Sequence, residues 1–242
     1  MFFGNYWYFA VMIIAIVLGG LAQLGISRAN KKYSRIPLAN GMTGAQVALR
    51  IAQANGIAST DGRVGRGSVA IQEVQGTLSD HYDPASGIVS LSEGVHSQST
   101  VAAAAVAAHE MGHAIQDAQG YVFGRIRTAI VPAANLGSRF SMILIIAGFV
   151  LGVAAGSLGY YALWAGIILY SVAVLFQVVT LPVEIDASRR AMGQLRDLAI
   201  LGPDEARGGR RVLTAAALTY VAAALISLLY LALYIFMGSS RH

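Results

Sequence analysis

Three stretches of this 242-residue chain contain no Lys, Arg, Asp or Glu: Met1–Ser27, Phe140–Val183 and Val212–Ser240. A helix at the surface of a water-soluble protein usually keeps one polar face, whereas a bilayer accepts an apolar surface all round. About 20 apolar residues cross the hydrocarbon core. The first and last stretches each fit one span. The middle stretch holds 44 residues and fits two, with Gly156-Ser157-Leu158-Gly159 as the turn. Four transmembrane helices are expected, near Tyr6–Leu24, Phe140–Ala155, Tyr160–Leu181 and Leu213–Met237. The composition agrees, with 56% hydrophobic and only 12% charged residues. These spans carry no ionisable side chain of the kind that marks a transport path, which argues against a transporter or channel.

Sixteen of the 17 Lys and Arg residues lie in Arg28–Arg139 or Arg189–Arg211. In a four-span layout those two blocks share one side, and the positive-inside rule places that side in the cytoplasm. Both termini and the Gly156–Gly159 turn then face out. Phe2, Phe3, Tyr6, Trp7, Tyr8 and Phe9 suit an outer aromatic belt, as do Tyr160, Tyr161 and Trp164. The first span lacks the basic leading segment of a cleavable signal peptide, and its basic flank follows it. Arg28, Lys31, Lys32 and Arg35 can anchor it at anionic headgroups. The expected location is a membrane crossed four times, with the two basic blocks on its cytoplasmic side.

Ser99–Gln119 reads as one helix, with Ser97 or Ser99 to cap its start and Gly120 just past its end. Ala favours helix, and Val101–Ala108 is small and apolar on every side, the pattern of a helix buried all round. Into it the chain places His109, Glu110 and His113. The two His stand at i and i+4, so both imidazoles leave one face. They can hold one metal ion while Glu110 takes a proton from water, the H-E-x-x-H pattern of zinc hydrolases. The chain has no Cys, which excludes disulfides, thiolate metal sites and a Cys nucleophile. A zinc site must therefore use His and carboxylates.

Upstream, Thr43-Gly44-Ala45-Gln46 matches a capping box for a helix over Gly44–Gln53. Ala58–Gly67 is a Gly-rich loop with no Walker lysine, so it makes a poor phosphate cradle. Val69–Leu78 and Ile88–Leu91 read as strands joined through Asp83–Gly87, a β-hairpin directly before the metal helix. An edge strand there, Val69–Gly76 being the candidate, could pair with an extended peptide substrate. His81 and Tyr82 lie in a polar cluster whose Asp80 and Asp83 suit turn chemistry. They are candidates for supporting a ligand or binding substrate.

A catalytic zinc takes three protein ligands and leaves a position open. The extended motif ending in a third His is absent, because Gln116 and Gln119 occupy the positions that would need Gly and His. A Glu on a second helix is the usual alternative. Glu184 is the best placed, Asp186 the second choice, with His81 and His96 further candidates. Pro182 can open or kink a helix at that point. The chain thus divides into a first transmembrane helix (1–27) and a cytoplasmic zincin-like α+β domain with the hairpin and metal helix (28–139). A transmembrane hairpin (140–183), a cytoplasmic helix with the third ligand (184–211) and a fourth transmembrane helix with the C-terminus (212–242) follow. The fold class is mainly α.

Three segments together carry a family resemblance: His109-Glu110-Met111-Gly112-His113-Ala114-Ile115-Gln116, Leu78-Ser79-Asp80-His81-Tyr82-Asp83-Pro84 and Leu181-Pro182-Val183-Glu184-Ile185-Asp186-Ala187-Ser188-Arg189-Arg190. The chain resembles the YugP-type membrane zinc metallopeptidases of bacteria, the neutral zinc metallopeptidase family. The resemblance covers most of its length. It implies His109 and His113 as zinc ligands, Glu110 as catalytic base and Glu184 as third ligand, an HExxH…E arrangement of gluzincin type. The layout is also similar to membrane peptidases related to the CAAX-processing and heat-shock zinc proteases. In that group an Asp four residues after the acidic ligand supports a zinc His. Here that position is Ser188, and an ideal helix turns Asp186 about 200° away from Glu184.

The implied reaction is hydrolysis of peptide bonds in membrane or membrane-proximal proteins. Glu110 moves the proton, and Arg189, His81 or Tyr82 donates to the oxyanion. Asp186 or Asp117 could orient the imidazoles. The expected partners are a protein or peptide substrate, the lipid bilayer, and a membrane partner or second copy of the chain; nucleic acid is not among them. The competing reading is a zinc-binding membrane scaffold or adaptor with little or latent peptidase activity.

Overall fold

The structure is a computed structural model and describes residues 2–59, 67–154 and 157–239. It is mainly helical. In chain order it contains α1 (Phe2–Tyr33), α2 (Gly44–Ala54), β1 (Ala70–Val74), β2 (His81–Asp83), β3 (Ile88–Ser92), α3 (Glu93–His96), α4 (Val101–Ala118), α5 (Val122–Ala154), α6 (Ser157–Asp197) and α7 (Pro203–Ser239). Four of the helices, α1, α5, α6 and α7, are long and apolar enough to cross a membrane. Most of the Gly-rich loop expected at Ala58–Gly67 and Gly156 of the expected turn lie outside the described residues. The chain clusters into two units: residues 1–22, 126–181 and 220–242 form one, and residues 23–125 and 182–219 the other.

In the first unit α5 and α6 approach closely wherever a glycine lets them. A Cβ on Gly137 would stand 2.5 Å from the Leu169 carbonyl oxygen, and one on Gly148 would stand 2.5 Å from the Leu163 nitrogen. Ile145, Leu163, Ile167 and Tyr234 form the buried cluster of this unit. The helix leading into the second expected span begins at Val122 rather than near Phe140. The segment Gly120–Arg139, expected only to return the chain to the membrane, is therefore mostly helix. Pro132 sits inside it without ending it, at the cost of one backbone hydrogen bond. Pro182 likewise lies inside α6.

The second unit is built around α4. Thr100 caps this helix, its side chain accepting from the Ala103 N–H at 3.2 Å. That corrects the expected Ser97 or Ser99, since Ser97 instead ends α3. Gly120, at φ +65, closes the helix in the left-handed conformation that glycine adopts without penalty. Val101–Ala105, Ala107, Ala108, Met111, Ala114 and Ile115 are all buried, joined by Val47, Ala48 and Ile51 of α2 and by Val89 and Leu91 of β3. The capping box of α2 is present, with Thr43 and Gln46 each holding the other's backbone N–H.

The sheet departs from the expected hairpin. Its order is β1-β3-β2. β1 runs parallel to β3, with Ala70 opposite Ile88 and Val74 opposite Ser92. The antiparallel partner of β3 is β2, with Tyr82 opposite Val89. The hairpin is thus His81–Ser92, closed by Asp83, whose side chain accepts from the Ala85 N–H and the Ser86 hydroxyl. Residues 81–83 form a strand that was not expected there, while Asp83 also serves the turn as expected. Two parallel strands need a crossover connection, and the chain from Gln75 to Gly87 supplies it, carrying β2 on the way.

Residues 184–211, expected as one helix, are divided between α6 and α7. Ala199 turns at φ +50. Pro203 then opens α7, where its missing N–H is no loss. The Glu205 carboxylate accepts from the Gly202 N–H at 2.8 Å.

Candidate metal centre

His109 and His113 project from α4 one turn apart, their rings 4.8 Å between centroids and nearly perpendicular. Each is partly buried. Glu184, on α6, is 2% exposed and points its Oε2 between them, 3.2 Å from His109 Nε2 and 3.6 Å from His113 Nε2. One donor atom from each of the three residues lies within 4.8 Å of the others.

Two nitrogens and a carboxylate oxygen form the donor set of a catalytic zinc site. Zinc ligands at ~2.0–2.1 Å in a tetrahedron stand roughly 3.3 Å from one another, close to the two Glu184 spacings. The residues therefore fit the ion. A buried carboxylate between two imidazoles also needs a cation among them, because burying an unpaired charge is costly. A proton is the competing cation: burial works against charge on His113, but the neighbouring Glu184 carboxylate outweighs it and raises the imidazole above its ordinary pKa.

The close approach of α6 has a visible cause. Gly112, between the two His, faces Ala187, and a Cβ there would stand 2.5 Å from the Ala187 carbonyl oxygen. The glycine inside the motif thus lets the helix carrying Glu184 come near the helix carrying the histidines. Glu110 is 8% exposed and adjacent to His109.

Around the imidazoles, Ser188 Oγ lies 3.2 Å from His109 Nδ1, and Gln116 Oε1 lies 3.1 Å from His113 Nδ1. Gln116 is 3% exposed, and its Nε2 donates to the Val183 carbonyl at 2.8 Å and to Asp186 Oδ2 at 2.9 Å. The Arg190 Nε also donates to Asp186, and its Nη1 donates to Gln119 Oε1 at 2.6 Å. Asp186 therefore touches neither histidine and reaches His113 only through an amide.

The other sequence candidates lie elsewhere. His81 is exposed on β2, its Nδ1 2.8 Å from the Ser79 carbonyl, and His96 pairs with Glu73 at 3.0 Å. Neither belongs to the group around Glu184. Tyr82 donates to Asp117 at 3.0 Å, which engages both residues with each other. Arg189 is exposed. Sequence reasoning passed over Gln116, which entered only as a mismatch to a longer motif, and treated Ser188 only as a missing Asp. The usable signal for Ser188 was its spacing, one helical turn after Glu184.

Comparison with known proteins points the same way. The family model described as "Putative neutral zinc metallopeptidase" matches residues 8–239. The chain is 41% identical over 216 residues to the "Putative membrane protease YugP" of Bacillus subtilis (strain 168), covering 89% of each chain. No solved structure matches. With a family match running over nearly its whole length, from the first candidate span to the last, this chain belongs to the neutral zinc metallopeptidase family.

Proposed function

We propose that the protein is a membrane-integral, zinc-dependent endopeptidase that hydrolyses peptide bonds in membrane or membrane-proximal proteins. The observation that carries this reading is the convergence of Glu184 on the two histidines of a helix that also bears Glu110. His109, His113 and Glu184 hold the zinc ion, in an HExxH…E arrangement of gluzincin type. When bound, zinc supplies Lewis acidity that acidifies a water and polarises a carbonyl.

Glu110 is the proton carrier. It takes a proton from the attacking water and delivers it to the leaving amine, which turns a poor leaving group into a good one. Oxyanion donation falls to Arg189, His81 or Tyr82. An extended peptide pairs with the sheet edge. Of the two edge strands, β2 packs against α4, whereas β1 packs against α2 and α3. The proposed docking strand is therefore His81–Asp83 rather than Val69–Gly76. The charge pattern sets the site on the cytoplasmic side of the bacterial inner membrane with both termini outside. A membrane partner or second copy that presents or gates substrate belongs to the same proposal.

The test is a pair of proteins purified in detergent, wild type and Glu110→Gln, assayed for bound zinc and for cleavage of unfolded casein. One zinc per chain in both, with cleavage in the wild type alone, is the expected result. Zinc in both with cleavage in neither favours a zinc-holding scaffold, and no zinc in either overturns the metal assignment.

A further inference from the structure

The amide of Gln116 has one orientation that satisfies its surroundings. Two of its neighbours, the Val183 carbonyl and Asp186 Oδ2, are acceptors, so both must meet the amide nitrogen. The amide oxygen is thereby turned toward His113 Nδ1 at 3.1 Å. An oxygen that can only accept requires Nδ1 to carry the proton. In the neutral ring Nε2 is then bare, and it is Nε2 that faces Glu184 at 3.6 Å. Two acceptors facing one another in a buried place are what a metal ion between them reconciles.

His109 is treated differently. Its Nδ1 meets the hydroxyl of Ser188 at 3.2 Å. A hydroxyl can donate or accept, so it tolerates either tautomer. Asp186 is fixed in turn by Arg190, and Arg190 is fixed by Gln119, one turn beyond Gln116 on the same helix. The sequence of contacts begins and ends on α4.

We propose that Gln116 is a positioning residue that locks His113 in the Nδ1–H tautomer and so presents Nε2 to the metal, with Asp186 and the Val183 carbonyl holding the amide in place. This deepens the zinc reading above and rests on it for its effect on metal binding; the tautomer itself does not depend on that reading. A carboxylate could accept from Nδ1, but its second oxygen would stand against the Val183 carbonyl and Asp186 Oδ2, so an amide alone would satisfy both sides. A thioether of the same length would not.

The test uses the full-length protein in detergent with Gln116→Met beside the wild type. Zinc affinity is measured by chelator competition. The His113 tautomer is read from nitrogen-15 spectra of the zinc-stripped protein at a pH where the ring is neutral. Wild type is expected to show Nδ1–H alone. Gln116→Met is expected to show a tautomer mixture and about 10–100-fold weaker zinc binding, the usual loss when an outer partner is removed.

The proposal is overturned if wild type carries its proton on Nε2, a result that needs no variant to fold. It is equally overturned if Gln116→Met binds zinc like wild type. A wild type that binds no zinc but shows Nδ1–H would sink the metal reading and leave the positioning assignment standing.

Discussion

The membrane-span portion of α1 and the first half of α4, Val101–Ala108, are both apolar on every side, and they differ in the size of what they display. α1 shows large side chains outward, with Trp7 58%, Phe9 54%, Ile16 65% and Leu21 63% exposed. α4 shows Ala, Val and Gly, and nearly all of them are buried. Large exposed side chains suit a helix solvated by lipid tails, which adapt to any surface. Small buried ones suit a helix that must let α2, α3, β2 and β3 approach it. Apolar character alone does not separate the two cases, whereas side-chain volume does. α4 also carries buried polar groups in Glu110 and Gln116, which require partners supplied by the rest of the unit.

If that contrast is right, damage to α4 and its partners should be severe and damage to the outer face of α1 mild. The largest effect is expected from Glu184→Ala. It removes a ligand rather than a ligand's support, so zinc affinity should fall by more than the ~10–100-fold of an outer-partner loss, as read by chelator competition. Next is Gly112→Ala, which drives a methyl against the Ala187 carbonyl. It should reach the upper end of the ~1–3 kcal/mol typical of overpacking and weaken zinc binding with it, measured by thermal unfolding with and without zinc.

Ala105→Val, at a position 0% exposed, should fall in the lower half of that ~1–3 kcal/mol range while leaving zinc affinity close to wild type. Ile16→Ala on α1 should change unfolding in detergent by less than ~0.5 kcal/mol, as for exposed positions generally. An Ile16→Ala variant as damaged as Ala105→Val would show that α1 is covered by protein and would erase the contrast.

Much of the site was legible in the chain itself. The i, i+4 histidines and the small apolar run before them follow from chemistry that acts at fixed spacing, and the choice of Glu184 follows from the need for a third ligand on a second helix. The sheet was less legible. His81–Asp83 pairs through its backbone while its side chains are those of a turn, so side-chain pattern could not reveal the strand. The parallel pairing of β1 with β3 is a long-range event that no local pattern encodes. The continuity of α6 through Pro182 was hidden because a rule drawn from isolated helices, that proline ends them, is overridden by neighbours. The role of Gln116 was hidden because glutamine has no fixed partner until the Val183 carbonyl and Asp186 are placed beside it.

The separation of the three ligands along the chain sets a schedule. His113 precedes Glu184 by 71 positions, an interval that contains all of α5 and runs through the first 28 residues of α6, Glu184 included. At the ~5–20 residues per second of protein synthesis, roughly 4–14 seconds pass between the two ligands. During that time the newborn chain has its histidines and Glu110 but not the complete three-residue group. On the proposed function, a chain cut short within α5 or early in α6 would be inert, so competence to cut would arrive only after both long apolar helices had reached the membrane.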